Sequence, residues 1–529
     1  MLKVKIDHNS LSYYRLLQYF NCLVMKGKAY RKANYANAFS ESLSNDFNMF
    51  YLMNEDDKDY AYRYAKNRTS CLFTDTMMYS WLLESSRRKN ISYFKNQMSA
   101  MLYDWALASK GSLLRSTKYQ LSLLKNNMTE DRYEYYKKHL SFDEDTNKEN
   151  STDELIISEM AHKVLLDMVR KDKPYNLQSF DYNLVKEQLI DNETAVEIIK
   201  LSIDDYVALV LQNNMEYPKL VELHLNNDDY CVSLWKGIEP YLTPNEKVFI
   251  SLDGLFNTLN VECSKDTTGI MMMDKYKVFR VTTTLNIPQD IYLSDIRKSA
   301  IYGNLTYKNE DISNVDSNKR GASQVLSRNK SWIKLKETSK EVDSIYKLLV
   351  ANKIECDLKQ KEAGTKASFT SLSNNNIDLI HLATHGFYNK EDFIDGEYVP
   401  AMKRAGIVLS CSGMDLVYDK QSGTIFANEI SRLDLNSVKL LVLSACETAL
   451  GQEDDDGLIG LQRGFKQAGV GCIIMTLRKV NSVITTELMS SFYIYLSQGL
   501  SVREAFYKAQ LMIRNKSYND DWSAFIILD

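Results

Sequence analysis

Hydrophobic and polar positions first indicate a helical region. From about residue 11 to 140, apolar residues recur with helical spacing, as at 60–66 and 91–107, which predicts consecutive amphipathic helices. Helices stacked in pairs would form a solenoid, yet the roughly 34-residue period of tetratricopeptide repeats gives no clean self-similarity. We therefore predict a helical region over residues 1–200 with at most degenerate repeats of this type.

The pattern changes near residue 200. Residues 204–211 and 247–251 are apolar or β-branched runs of strand length, whereas 220–225 and 232–242 favour helices. This alternation predicts an α/β layer over residues 201–305. Polar stretches at 141–154 and 306–330 carry few apolar residues and indicate surface loops.

The alternation is strongest in residues 331–529. Helices are predicted at 339–351, 366–373, 457–468 and 485–498, and strands at 353–358, 377–383, 438–444 and 470–476. Continuous apolar runs flanked by helices are typical of a parallel sheet that is covered on both faces. Right-handed crossovers would then place the carboxyl end of every strand at one edge.

Two of these strands end in residues that could perform covalent chemistry. The first ends in His385 and Gly386, and the second ends in Cys446. Reactive groups belong at the carboxyl ends of parallel strands, so we expect His385 to meet Cys446. An imidazole that assists thiolate formation permits attack on a carbonyl carbon, and the amides of Gly386 and Cys446 could form an oxyanion hole.

Charge and composition exclude several classes of protein. A formal net charge of −4 and a pI near 6.0 argue against direct nucleic-acid binding. The sequence has no apolar run of about 18 residues and no signal-peptide core, which predicts a cytoplasmic protein that does not enter a membrane. The 8 cysteines are scattered without a CxxC pair, so we expect neither a metal site nor a disulfide framework.

A series of motifs carries a resemblance to a known family. In order, they are HLATHG, LVLSACETALG, GLIGLQRGFKQAGV, TELMSSFYIYL and DWSAFIILD. This series resembles the CHAT domain, a caspase-like cysteine peptidase module of clan CD that is related to separases and caspases and often accompanies tetratricopeptide repeats. The similarity continues upstream through residues 302–304 and 251–255 and reaches the KGSLLRS stretch at 110–116.

The resemblance implies a fold and an activity. The fold would be a caspase-like parallel-sheet α/β sandwich, with a pseudo-caspase subdomain at 201–305, a catalytic subdomain at 331–529 and a degenerate TPR-like N-terminal region. His385 and Cys446 would form a catalytic dyad that needs no metal or organic cofactor. The resemblance further implies an endopeptidase that is controlled by the helical region or by a protein activator or inhibitor.

The substrate pocket departs from the family pattern. Relatives usually carry a Trp and then acidic residues after the fourth strand of the catalytic part, whereas this chain has TLRKVNS at 476–482. Ser482 cannot accept a basic side chain as an acidic residue would, and Arg478 favours an acidic or polar group. The acidic residues after the nucleophile would favour a basic side chain in the substrate, or they form only a solvated loop. These residues are Glu453, Asp454, Asp455 and Asp456.

Other chemically active residues have ordinary interpretations. His381 lies inside its strand and is interpreted as structural, and Cys411 and Cys472 are interpreted as core residues. Lys319 and Arg320 mark either a self-processing site or a solvated loop. Glu447 could orient the histidine, although caspase-like dyads usually have no third member.

Three functions are consistent with these residues. The first is a regulated endopeptidase that cleaves a protein partner, in a bacterial defence or regulated-death pathway as in other family members. The second is a catalytically silent CHAT scaffold. The third is an acyl transferase or amidase that uses the same dyad, because thiol attack on a carbonyl does not specify the final acceptor.

Overall fold

The computed structural model describes most of the chain beyond residue 180. The described ranges are 181–200, 205–225, 229–307, 334–391, 393–394, 397–399, 401–410, 423–445, 448–449, 451–454, 457–516 and 521–529, with Trp332 and scattered positions between 96 and 164. The chain divides into two compact units, residues 1–65 with 115–180 and residues 66–114 with 181–529. The predicted domain boundaries stay a prediction, and most of the predicted N-terminal helices lie outside the described residues.

Eighteen strands are described in the second unit. In chain order they are β1 (Thr194–Lys200), β2 (Asp205–Leu211), β3 (Lys219–His224), β4 (Lys247–Ser251), β5 (Lys277–Val281), β6 (Lys298–Leu305), β7 (Glu355–Lys361), β8 (Leu379–Leu382), β9 (His385–Tyr388), β10 (Phe393–Ile394), β11 (Glu397–Tyr398), β12 (Ala405–Val408), β13 (Thr424–Phe426), β14 (Leu440–Leu443), β15 (Gly451–Asp454), β16 (Gly457–Gly460), β17 (Cys472–Thr476) and β18 (Phe525–Leu528).

The helices of the same part of the chain connect these strands. They are α1 (Tyr182–Gln188), α2 (Tyr230–Ile238), α3 (Met272–Lys275), α4 (Glu337–Ala351), α5 (Lys366–Thr370), α6 (Ala427–Ile430), α7 (Leu461–Gln467), α8 (Ser482–Ser497) and α9 (Val502–Lys516). No helix among the described ranges combines the length and the apolar character that crossing a bilayer requires.

One 11-stranded sheet organises this unit, in the order β3-β2-β1-β4-β5-β18-β17-β14-β8-β6-β7. We call β3-β2-β1-β4-β5 the first half-sheet and β18-β17-β14-β8-β6-β7 the second half-sheet. They join where Leu528 of β18 pairs with Arg280 of β5. The second half-sheet includes β6, although this strand lies inside the predicted 201–305 subdomain.

Strand direction confirms that the four strands predicted within residues 331–529 direct their carboxyl ends to one edge, and it shows a reversal beyond them. Neighbouring strands from β7 to β17 are parallel, but β18 is antiparallel to β17 and parallel to β5. The two half-sheets therefore direct their parallel strands toward opposite edges of the combined sheet. The first half-sheet also ends in the antiparallel strands β2 and β3.

Apolar layers cover both faces of the second half-sheet. Successive residues of β14 point to opposite faces: Leu440 and Val442 pack with α4, α8 and α9, whereas Leu441 and Leu443 pack with α5, α6 and α7. Each of these leucine and valine side chains is buried. This arrangement confirms the predicted mixed α/β fold with a buried, mostly parallel sheet.

Three predicted helical segments are strands, which corrects the sequence interpretation. Residues 194–200, placed in the helical region, form β1; residues 220–225 largely coincide with β3; and residues 457–460 form β16, paired with β15. Short apolar runs such as AVEII satisfy helical and strand periods alike. Hydrogen-bonded pairing with neighbouring strands decides whether such a run forms a helix or a strand, and a short stretch of sequence does not reveal this pairing.

Candidate active site

The register of the central strands determines where His385 lies. In the parallel pair β8–β14, Leu382 is opposite Leu443. His385 follows Leu382 by three positions and begins β9 at the carboxyl edge of the second half-sheet. Strand β6 lies between β7, which follows it in the chain, and β8, which comes after β7. In open α/β sheets, such a change in the direction of the connections forms a crevice at the carboxyl edge of the strands.

Strand β9 leaves the main sheet directly at His385. It pairs antiparallel with β12, so that His385 is opposite Val408 and Gly386 is opposite Ile407. The Thr384 hydroxyl donates a hydrogen bond to the carbonyl oxygen of Val408, and the Ala383 amide donates to Tyr302 over 2.8 Å. The backbone on both sides of His385 is therefore held in place.

Two aromatic rings contact the imidazole of His385, which is only 3% exposed. Its ring centroid lies 5.0 Å from that of Tyr307 and 4.9 Å from that of Trp332. The Tyr307 hydroxyl also lies 2.9 Å from that of Thr384. Sequence analysis missed both aromatic residues; the available signal was that Tyr307 lies at the start of the polar stretch and Trp332 just after its end.

Two threonines hold the backbone of Ala445, the residue that precedes Cys446 in the sequence. The carbonyl oxygen of Ala445 accepts hydrogen bonds from the hydroxyls of Thr476, at 2.6 Å, and Thr448, at 3.3 Å. The Thr476 amide donates to the Thr448 hydroxyl over 3.1 Å, and the Ala449 amide donates to the Thr476 carbonyl over 2.8 Å. Sequence analysis missed both threonines, although Thr448 follows the predicted nucleophile closely.

Arg478 and Ser482, two predicted pocket residues, have structural partners. Arg478 contacts Asp521 at 3.3 Å and donates to the hydroxyl of Ser523 over 2.9 Å, while it stays 44% exposed. Ser482 is buried in the first turn of α8, where the side chain of Asn481 caps the helix by accepting from Val483. These contacts leave the substrate roles of Arg478 and Ser482 as predictions.

Two of the acidic residues, Glu453 and Asp454, lie on β15, which pairs antiparallel with β16. Asp454 ends β15 and pairs with Gly457 of β16. Several predicted residues lie outside the described part of the chain: Cys411, Cys446, Glu447, Asp455, Asp456, Lys319 and Arg320. Their assigned roles stay predictions.

His381 belongs to a separate buried network. Its Nε2 lies 3.1 Å from Oε1 of Glu341 in α4, and its Nδ1 lies 3.2 Å from the hydroxyl of Tyr493 in α8. Burial and the nearby Glu341 carboxylate raise the pKa of Tyr493 well above its usual value. Both imidazole nitrogens are engaged between β8 and the helices, which agrees with the structural interpretation of His381.

The four described cysteines are poor nucleophiles. Burial raises the pKa of the Cys231 thiol to about 12 and also raises the thiol pKa values of Cys263, Cys356 and Cys472. A thiol with a raised pKa holds little thiolate at neutral pH. Within the described ranges, no three His, Cys, Asp or Glu side chains are grouped as metal ligands would be.

Sequence comparison relates more than half of the chain to one family. Residues 233–528 match the family described as "CHAT domain". Tetratricopeptide repeat protein 28 of Mus musculus is 32% identical over 100 residues, which are 18% of this chain and 4% of that protein. Its Homo sapiens counterpart is 29% identical over a stretch of the same length.

Gingipain R and separase are among the solved structures that resemble this chain. The Arg-specific cysteine proteinase gingipain R has a TM-score of 0.35 and 8% identity, covering 56% of this chain and 65% of that one. Separase in the Saccharomyces cerevisiae separase–securin complex has a TM-score of 0.38 and 11% identity, covering 98% of this chain and 46% of that one. Likenesses this distant do not transfer an activity.

Proposed function

Because the chain belongs to the CHAT domain family, we propose that it is a cysteine endopeptidase with Cys446 as nucleophile and His385 as general base. The observation that carries the proposal is the pairing of Leu382 with Leu443 in parallel neighbouring strands. His385 and Cys446 each follow their member of this pair by three positions. Equal offsets from a registered pair favour their approach at the carboxyl edge of the sheet.

The surroundings of the nucleophile support this assignment. Cys446 follows Ala445 directly, and adjacent Cα atoms are about 3.8 Å apart across a trans peptide bond. Ala445 is buried and its carbonyl oxygen is held by Thr448 and Thr476. A nucleophile attached to a backbone held in this way requires little reorganisation before reaction.

The proposed reaction follows from these positions. The imidazole of His385 accepts the thiol proton, and the thiolate of Cys446 attacks the carbonyl carbon of the scissile peptide. The amides of Gly386 and Cys446 would donate to the developing oxyanion. The imidazolium then protonates the leaving amine, and a water molecule, deprotonated by His385, hydrolyses the thioester.

The proposed substrate is a protein partner. Helical repeat arrays commonly bind proteins, so the predicted TPR-like region would recruit the substrate, or a protein that activates or inhibits cleavage. A cytoplasmic location and a role in bacterial defence or regulated death belong to the same proposal. In the substrate, Arg478 would favour an acidic or polar residue before the scissile bond, whereas the acidic residues after the nucleophile would favour a basic one.

Proteolysis of a diverse peptide library tests the activity directly. Mass spectrometry would identify cut sites produced by the intact chain, with proteins from neighbouring genes added as substrates. We expect Cys446→Ala and His385→Ala to abolish cutting, because each removes one half of the dyad. Cys356→Ala is the matched control, since this half-buried thiol on β7 accepts a hydrogen bond from the Ser299 hydroxyl on β6, and its loss should not affect cutting.

Cuts that persist in Cys446→Ala would refute the nucleophile assignment. If the intact chain cuts none of these peptides and proteins, the result would favour the silent scaffold. Alkylation by limiting iodoacetamide supplies a test without substrate. Cys446 should react before the described thiols, because their pKa values are raised. His385→Ala should slow the alkylation of Cys446, because it removes the base that assists thiolate formation.

A further inference from the structure

We propose that Tyr307 and Trp332 are positioning residues that orient the imidazole of His385 toward the nucleophile. This inference rests on the proposed peptidase function and extends it to two side chains outside the dyad. Neither belongs to the strands that carry His385 and Cys446. Both rings nevertheless lie about 5 Å from the imidazole, at 5.0 Å for Tyr307 and 4.9 Å for Trp332.

Trp332 packs along one face of β9. Its ring is tilted 34° from the His385 ring and 32° from the ring of Phe387, whose centroid lies 6.0 Å away. Residues two apart in a strand share a face, so a single indole covers both side chains. Phe387 is fully buried in the core, and it therefore provides a rigid support for the indole beside the imidazole.

Tyr307 acts on the ring and on the backbone. Its ring is tilted 59° from the imidazole, while its hydroxyl lies 2.9 Å from that of Thr384, the residue before His385. The Thr384 hydroxyl donates to the carbonyl of Val408, which lies opposite His385 in β12. Tyr307 thus contacts both the ring of His385 and the side chain of the residue that precedes it.

Orientation matters because a general base must lie within hydrogen-bond reach of the proton it removes, roughly 2.6–3.2 Å. Rotation about the two side-chain torsions of His385 would carry its nitrogens out of this range. The aromatic contacts restrict those rotations, and an aromatic face also attracts the imidazolium that forms during the reaction. Loss of a contact should therefore slow the chemical step more than it weakens substrate binding.

Enzyme kinetics with three variants tests the proposal. Trp332→Leu removes the aromatic ring and should lower kcat by about 10²-fold with little change in KM, as expected for a misplaced catalytic group. Trp332→Phe keeps an aromatic ring and should restore most of kcat. Tyr307→Phe keeps the ring contact but loses the hydroxyl contact with Thr384, and should lower kcat by about tenfold or less.

Trp235→Phe is the matched control for the indole substitutions. Trp235 lies on α2 and is fully buried against the first half-sheet, and its indole donates to the carbonyl of Val261 over 2.9 Å. This variant should lower the unfolding midpoint while kcat stays unchanged. An unchanged kcat in Trp332→Leu, or a fall equal to that of Trp235→Phe, would overturn the positioning role.

Two further measurements separate this proposal from the protease proposal. The iodoacetamide reaction of Cys446 should slow in Trp332→Leu even if no peptide substrate is cut. The Trp332 indole is in ring contact with His385, so His385→Leu should change the indole fluorescence of the intact chain, and this change should vanish in the Trp332→Phe background. If cutting is absent but both effects occur, the peptidase proposal fails and the positioning survives; if neither effect occurs, the positioning proposal fails.

Discussion

The two half-sheets end in different chemistry at their carboxyl edges. In the first half-sheet, the amine of Lys110 binds Glu197 of β1 at 2.8 Å and donates to the hydroxyl of Ser251, at the end of β4, over 2.9 Å. The second carboxylate oxygen of Glu197 accepts from the amide of Thr284 over 2.7 Å and from its hydroxyl over 2.8 Å. The charges of Lys110 and Glu197 are therefore paired with each other and hydrogen-bonded at this strand end.

In the second half-sheet, neutral hydroxyls hold the corresponding edge. Thr384 binds the carbonyl of Val408, and Thr448 and Thr476 bind the carbonyl of Ala445. These bonds hold the backbone beside His385 and Cys446 without introducing a charge at the edge. The ends of buried strands can therefore form a structural anchor or a proposed active site, depending on which side chains satisfy the buried polar groups.

The largest expected effect comes from breaking the anchor. Lys110→Met leaves the Glu197 carboxylate buried without its cation, which should lower the free energy of unfolding by about 3–5 kcal/mol. Urea unfolding would measure this loss, while cleavage per folded molecule should stay unchanged. Pairing Lys110→Met with Glu197→Gln should recover part of the stability, and a loss under about 1 kcal/mol in the single variant would contradict the anchor role.

A smaller effect should follow from weakening the edge of the second half-sheet. Thr476→Val keeps the shape of the side chain but removes its bond to the Ala445 carbonyl, and should lower kcat/KM by about tenfold, equivalent to about 1.4 kcal/mol. The matched control is Thr194→Val in the first half-sheet, which loses a bond from Gln212 of 3.0 Å. Equal peptidase activity in the two variants would show that the Ala445 contact has no catalytic role.

The smallest stability effect should come from Arg478. Its ion pair with Asp521 is partly exposed, so Arg478→Gln should change the unfolding free energy by less than about 1 kcal/mol. If Arg478 contributes to the substrate pocket, the same variant should shift the preferred residue before the scissile bond toward basic side chains. Lys340→Gln, which breaks the exposed pair with Glu337, should shift nothing. Matching preferences in the two variants would remove Arg478 from the pocket.

Local sequence patterns determined much of the sheet. The KVFIS run predicts β4 with its observed bounds, Lys247–Ser251, and the predicted helix 339–351 corresponds to α4. These elements were predictable because their apolar periodicity extends over most of their length. The same patterns predict His385 and Cys446 at the ends of neighbouring strands, since topology rules relate strand ends in a parallel sheet.

Tertiary structure alone decided which distant residues meet. The antiparallel pairing of β18 with β17 reverses the direction of one half-sheet relative to the other, and the AVEII run becomes a strand only through pairing. Likewise, no local pattern relates Lys110 to Glu197, or Trp332 to His385. Periodicity reports which face of an element is buried, whereas the partner of a buried polar or aromatic group depends on strand register and on packing between elements far apart in the chain.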